Sequence, residues 1–154
     1  MMSASTAEKL NSPQVRQFSV FLQNKVGALL EVVKLLNETN VVVLALSIVD
    51  SSESAIGRMI VSDPERVTEL FHEHDIPYSD CEMLLVELEE GPGDLASVLA
   101  ALLMAEVNVF FSYPLLIRPR GHAVLAMHLD DNDCASNVLR GEGFKTLSQG
   151  DLSR

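Results

Sequence analysis

The chain has little of what catalytic, metal-binding and nucleic-acid-binding proteins depend on. There are two cysteines in 154 residues, Cys81 and Cys134. They fall in no metal-ligand or redox spacing, which points to free thiols rather than a disulfide or catalytic pair. Basic residues are scarce: 11 Lys and Arg against 22 Asp and Glu leave a net charge of −11, which repels nucleic acid and anionic lipid surfaces, so neither is expected as a partner. No apolar run approaches the ~20 residues of a membrane span; the longest, Val41 to Leu46 and Leu95 to Met104, are interrupted well short of it. Met1 to Ser12 has neither the basic start nor the apolar stretch of a signal peptide, and a cytoplasmic location is expected. No Ser-His-Asp order, phosphate loop or CxxC occurs. An enzyme is not expected, nor a metal or cofactor.

What the chain does have is a statement made twice. Shifted by about 66 residues, a spacing that marks paired repeat units, Val20 falls on Val86, Leu22 on Leu88, Gly27 on Gly93, Leu29 on Leu95, Val32 on Val98, Leu36 on Leu102, Val41 on Val107 and Val43 on Val109. These identities are spaced as a strand, a glycine turn and a helix face would space them. With 47% hydrophobic residues the chain can form one ordinary domain or two small ones.

Along the first copy, Arg16, Phe18, Val20 and Leu22 alternate with Val15, Gln17, Ser19 and Phe21, predicting a strand whose first set is buried. Gln23 to Val26 reads as a turn, and Leu29, Val32, Val33 and Leu36 recur at helical spacing. Val41 to Val49 is too continuous for an edge strand; with Ala55 to Val61 it predicts a hairpin across Asp50 to Ser54. Asp63-Pro64 is a helix start with Val67, Leu70 and Phe71 on one face, and Ile76-Pro77 stops that helix near Asp75. The second copy predicts strand Met83 to Leu88, turn Glu89 to Gly93, helix Leu95 to Ala105 and strand Val107 to Leu116. A loop Arg118 to Gly121, strand His122 to Leu129, helix Asn132 to Arg140 and strand Phe144 to Leu147 follow. Each copy is βαββαβ, which places two helices on one face of a four-stranded antiparallel sheet, an α+β ferredoxin-like arrangement. The predicted organisation is a frayed terminus over residues 1–13 and repeats over 14–80 and 81–150, side by side as one rigid pseudo-dimer, because Asp75 to Glu82 leaves no room for a flexible linker.

Other chemistry-bearing residues read as structural. His72 and His74 lie two apart, which on a helix puts them on different faces. His122 and His128 share a strand face and suggest partial burial. Glu87, Glu89, Glu90 and Asp94 read as a solvated acidic rim.

A strand, a loop ending in Pro-Gly or a close relative, Leu-x-x-Val at a helix start, and a strand opening with Asn resembles the ACT domain, and Gly91-Pro92-Gly93-Asp94-Leu95-Ala96-Ser97-Val98 fits it closely. Both repeats resemble ACT domains, over about Val15 to Gln149. The first, Ser19 to Leu29 with Arg58-Met59, is similar to the opening of the regulatory small subunit of acetolactate synthase, whose feedback inhibitor is valine. The long C-terminal domain of that family is missing from the chain. The resemblance implies a regulatory module that binds an amino acid at the interface of paired copies. In the small-subunit family a loop Asn and Gly of one copy act with an Asn that opens the second strand of the other. Carried over, the first repeat supplies Asn24, Gly27 and Ala28 but has Val42 at the strand opening; the second supplies Asn108 but has Glu90, Gly93 and Asp94 in its loop.

An amino-acid ligand needs partners for both its charges once out of water. A helix start offers N–H groups and a favourable dipole to its carboxylate, Gly27 permits close approach, and Asn24 can donate or accept. The expectation is one site per chain made by Asn24, Val26, Gly27, Ala28, Leu29 and Asn108. Val26, Ala28, Leu29 and Val43 wall a pocket suited to valine, leucine or isoleucine, and the pairing of Glu90 and Asp94 with Val42 is closed to ligand. Gly27 and Gly93 as plain turn glycines, with Asn24 and Asn108 serving local backbone, remain the structural alternative. The alternatives in function are a regulatory subunit docked on acetolactate synthase or another biosynthetic enzyme, and an assembly module with a vestigial site. Apolar strands at open sheet edges predict a homodimer.

Overall fold

The computed structural model describes residues 14–23, 25–50 and 54–152. The first seven elements are β1 (Gln14–Leu22), α1 (Lys25–Glu38), β2 (Val43–Asp50), β3 (Ala55–Val61), α2 (Pro64–Glu73), β4 (Tyr78–Leu88) and α3 (Leu95–Met104). Then come β5 (Val109–Pro114), β6 (Ala123–Leu129), α4 (Asn132–Gly141), β7 (Thr146–Leu147) and α5 (Gln149–Leu152). The chain divides into a compact unit of Arg16–Cys81 and one that includes Glu82–Arg154.

In the first unit β3 lies between β2 and β1, antiparallel to both, with Val20 opposite Gly57 and Ser47 opposite Arg58. Beside β1, the start of β4 is tied in by Arg16 Nε to Asp80 Oδ2 at 2.7 Å and Gln17 Nε2 to Cys81 Sγ at 3.3 Å. In the second unit the order is β5-β6-β4-β7, again antiparallel, with Leu84 opposite Met127 and Leu85 opposite Leu147. Both are the ferredoxin-like βαββαβ arrangement that the sequence pattern predicts.

The predicted helix faces and strand alternation explain why the elements settle this way. In the first unit Phe18, Val20 and Leu22 of β1 meet Val32 and Leu36 of α1 and Val67, Leu70 and Phe71 of α2. In the second, Leu84, Val86 and Leu88 of β4 meet Val98, Ala101 and Leu102 of α3 and Ala135 and Leu139 of α4. Each such side chain contributes roughly 1.5–3 kcal/mol by leaving water. Phe18, Phe71 and Tyr78 close the first core, with ring centroids 5.4–5.8 Å apart.

The alternation misjudges one side of the first strand. Val15 and Gln17, expected to face out, are 1% and 0% exposed, and on the matching face of β4 so are Met83 and Leu85, both at 0%. Strands covered on both faces carry near-continuous apolar runs, which is the pattern of Met83 to Val86. The run Val41 to Val49, expected to be too continuous for an edge, instead supplies the edge strand β2, with Ile48 and Val49 exposed. The buried Gln17 amide is satisfied by Ser19 Oγ at 3.2 Å and by Cys81. Some boundaries also move. β2 and β5 begin at Val43 and Val109, each with a bulge directly after the start; β7 keeps only Thr146–Leu147; and α5 was not expected. Cys81 and Cys134 are free thiols, as expected. Among the described residues no helix is long and apolar enough to cross a membrane.

The duplication extends to the helix ends. Asp63 and Asp131 cap α2 and α4 in the same way, their Oδ1 atoms accepting from Arg66 N–H at 3.2 Å and Cys134 N–H at 3.0 Å. Helices α1 to α4 all close through a residue at positive φ: Asn40 (62°), Asp75 (53°), Glu106 (57°) and Gly143 (89°). The following apolar residue then donates its N–H back five positions: Val41 to Leu36, Ile76 to Phe71, Val107 to Leu102 and Phe144 to Leu139, at 2.9–3.0 Å. Only one of the four carries the glycine that this conformation favours. Replacing Glu106 by Gly is therefore expected to stabilise the protein by about 1 kcal/mol, read as a higher urea midpoint at unchanged slope. A lower midpoint contradicts the assignment.

Candidate functional site

In each repeat the first strand leads through a short loop into the following helix. The two copies use this scaffold differently.

In the second repeat, β4 ends at Leu88 and a 3-10 turn, Gly91–Asp94, leads into α3. Gly91 takes φ +61° and Gly93 does not take a positive φ. A Cβ at Gly93 has Glu90 Cβ as its nearest neighbour, at an ordinary 3.8 Å. The tight turn is therefore required of Gly91 rather than of the repeat glycine. Asp94 turns its carboxylate inward, and Oδ2 accepts from Glu90 N–H at 3.0 Å. This bond takes up one loop amide, while Asp94 makes no side-chain hydrogen bond to the first-turn amides of α3.

In the first repeat α1 begins at Lys25 with no acidic residue in its first turn. Asn24 lies outside the described residues. Gly27 is exposed, and Val26 points to solvent at 79% exposure with Leu30, a turn later, at 51%. Ala28, Leu29 and Val43 are partly buried and pack against the core of their own unit. Leu29 also lies over Gly57 on β3, where a Cβ would stand 3.8 Å from Leu29 Cδ1 and 3.2 Å from Leu22 Cδ1. A glycine and exposed apolar residues stand at the start of an acid-free first turn in both repeats; the second differs in the Asp94 carboxylate, which hydrogen-bonds within its own loop.

Asn108 is exposed and is held by Asp130: its backbone N–H donates to Oδ1 and its side-chain Nδ2 to Oδ2, both at 3.0 Å. The same brace exists in the first repeat, where Val42 N–H donates to Ser62 Oγ at 2.9 Å. Sequence reasoning missed Asp130 and Ser62. Their signal was positional, since each follows the third strand of its repeat, beside the opening of the second. The side-chain carbonyl of Asn108 takes no part in the pair and can still accept.

One expectation is overturned. Glu87, read as part of a solvated rim, is buried at 2% exposure and its Oε1 lies 2.5 Å from His122 Nδ1. β4 is covered on both faces, so alternation along it does not separate inside from outside. His72 and His74 lie at the end of α2, where His74 is the C-cap.

The family model described as an ACT domain pair matches residues 13–154. No curated protein sequence matches. Among solved structures, protein BT0572 from Bacteroides thetaiotaomicron is similar at 27% identity and a TM-score of 0.83, over 93% of this chain and 99% of that one. The regulatory subunit of aspartate kinase from Thermus thermophilus is 13% identical with a TM-score of 0.58, over 84% and 90%. Its counterpart from Thermus flavus is 12% identical with a TM-score of 0.53, over 83% and 91%. The latter two share the fold.

The two loop glycines give a direct check on this geometry. Gly91→Ala is expected to cost about 1–2 kcal/mol through its positive φ, while Gly93→Ala stays within about 0.5 kcal/mol of the parent, both by chemical denaturation. Equal costs contradict the turn as described.

Proposed function

Because the chain belongs to the ACT domain pair family, we propose that it is a regulatory amino-acid-binding protein with one ligand site per chain, centred on the loop of the first repeat. The observation that carries this reading is the contrast between the loops: in the second, the Asp94 carboxylate accepts from Glu90 N–H, whereas in the first the start of α1 presents Val26 and Gly27 to solvent; the first turns of α1 and α3 are both free of acid. The proposed contacts are Asn24, Val26, Gly27, Ala28 and Leu29, with the side-chain carbonyl of Asn108 as a further polar group. Val26 and Leu30 favour an aliphatic side chain, and valine, leucine and isoleucine are the favoured ligands. Glu90 and Asp94 exclude a second carboxylate from the other loop. The exposed apolar residues Phe110 on β5 and Ile48 on β2, both edge strands of their units, support a homodimer.

A second reading, a subunit that docks on a biosynthetic enzyme such as acetolactate synthase, draws on the exposed stripe Leu95, Leu99 and Leu103 of α3. It differs in needing that enzyme before any effect of the ligand is seen.

A thermal-shift screen against the twenty amino acids tests the first reading. A branched aliphatic ligand at 100 times its Kd is expected to add roughly 2.7 kcal/mol of stability, and calorimetry to give a stoichiometry near one. Asn24→Ala and Asn108→Ala should each weaken binding by about 1–3 kcal/mol, with Glu90→Ala unchanged. Asp130→Ala removes the brace and leaves Asn108 in place, so it should keep most of the affinity. No response to any amino acid, or two equivalent sites, contradicts the proposal.

A further inference from the structure

A cluster of titratable side chains lies in the second repeat, on the sheet face turned away from α3 and α4. The register of β4 against β6 sets Glu87 opposite Val124 and Leu88 opposite Ala123. Continued by one more pair, it brings Glu89 opposite His122, so Glu87, Glu89 and His122 share one face as alternate residues of two neighbouring chain segments. Their ligand atoms, one imidazole nitrogen and one oxygen from each carboxylate, all lie within 4.8 Å of one another.

Glu87 is the member that demands explanation. Its side chain is 2% exposed, and Oε2 is buried with no hydrogen-bond partner among the described residues. The cation near that oxygen, Arg120 NH2, stands 3.7 Å away on a half-exposed side chain, too far for a hydrogen bond. A buried carboxylate is stable only when both oxygens are compensated. Here one oxygen is matched by His122 and the other is left over.

We propose that Glu87, Glu89 and His122 bind a divalent first-row transition ion, with water completing its coordination. One imidazole and two carboxylates are a nitrogen and oxygen set suited to Zn2+ or Mn2+ rather than to Ca2+, which takes oxygen ligands throughout. The ion takes the place of the proton between His122 Nδ1 and Glu87 Oε1. That pair must then open from 2.5 Å to about 3 Å, since each donor sits at about 2.0–2.2 Å from the ion. His122 is 40% exposed and Glu89 54% exposed, so both can make this small adjustment while Glu87 stays in place. A water of the ion's coordination shell donates to the orphaned Oε2, and the ion clips the end of β4 to the segment before β6. Glu89 directly precedes Glu90, so the clip also anchors the start of the loop closed by Asp94.

Titrating the chelator-stripped full chain with ZnCl2, MnCl2 and CaCl2 by calorimetry tests this. One saturable site per chain is expected, with Zn2+ tighter than Mn2+ as the usual affinity order has it and Ca2+ not bound. His122→Ala should weaken Zn2+ binding at least tenfold, and Glu89→Gln several-fold, in proteins whose circular dichroism matches the parent. Neither residue is a core hydrophobe, so the test does not depend on the fold tolerating a change at Glu87. His72→Ala, His74→Ala and His128→Ala should leave affinity within twofold. Absence of a saturable site, undiminished affinity in His122→Ala, or loss in the three histidine controls instead overturns the proposal.

Discussion

Each repeat depends on seating two helices on alternate residues of its first strand. Phe18, Val20 and Leu22 do this in the first copy and Leu84, Val86 and Leu88 in the second. Once those faces are buried, strand and helix are held as a pair. The positive-φ closures at Asn40, Asp75, Glu106 and Gly143 follow from the same requirement. Each helix must stop abruptly so that the next apolar residue, Val41, Ile76, Val107 or Phe144, can turn inward. The non-glycine residues at three of these positions show that tertiary burial outweighs local backbone preference.

On that shared scaffold the copies have diverged in polar detail. The second loop has internalised a carboxylate at Asp94, and its strand opening has exchanged a hydroxyl brace for the acid brace from Asp130 to Asn108. Both repeats thus satisfy the amide at the opening of the second strand, and only the second adds a carboxylate that bonds within its loop. Each copy keeps its own core, while the polar residues of its loops and strand ends vary, as the Glu87 cluster of the second copy does.

Much of the fold was legible because the hydrophobic period is strong and stated twice. Ala55 to Val61 and the Asp63-Pro64 helix start lie where the pattern puts them, and the order βαββαβ follows from counting. The second buried face was not legible, because Val15 and Gln17 mimic the outer side of a half-covered strand. Gly27 and Ala28 lie at the start of α1, where the pattern puts them, but the contacts around them were not legible. No local pattern says that Leu29 rests over Gly57, that Asp130 holds Asn108, or that Glu87 turns in toward His122. Those are matters of register between distant strands, and a single sequence carries register only through the sum of its burial.

The central claim is that the first repeat's loop receives an amino acid and the second's is closed. The most direct measurement is a titration of the isotope-labelled protein with valine, followed through its backbone amide resonances. The account predicts saturable shifts in residues 23–29, with the amides of residues 90–95 unmoved. Shifts centred on residues 90–95, or equal shifts in both loops, would contradict it.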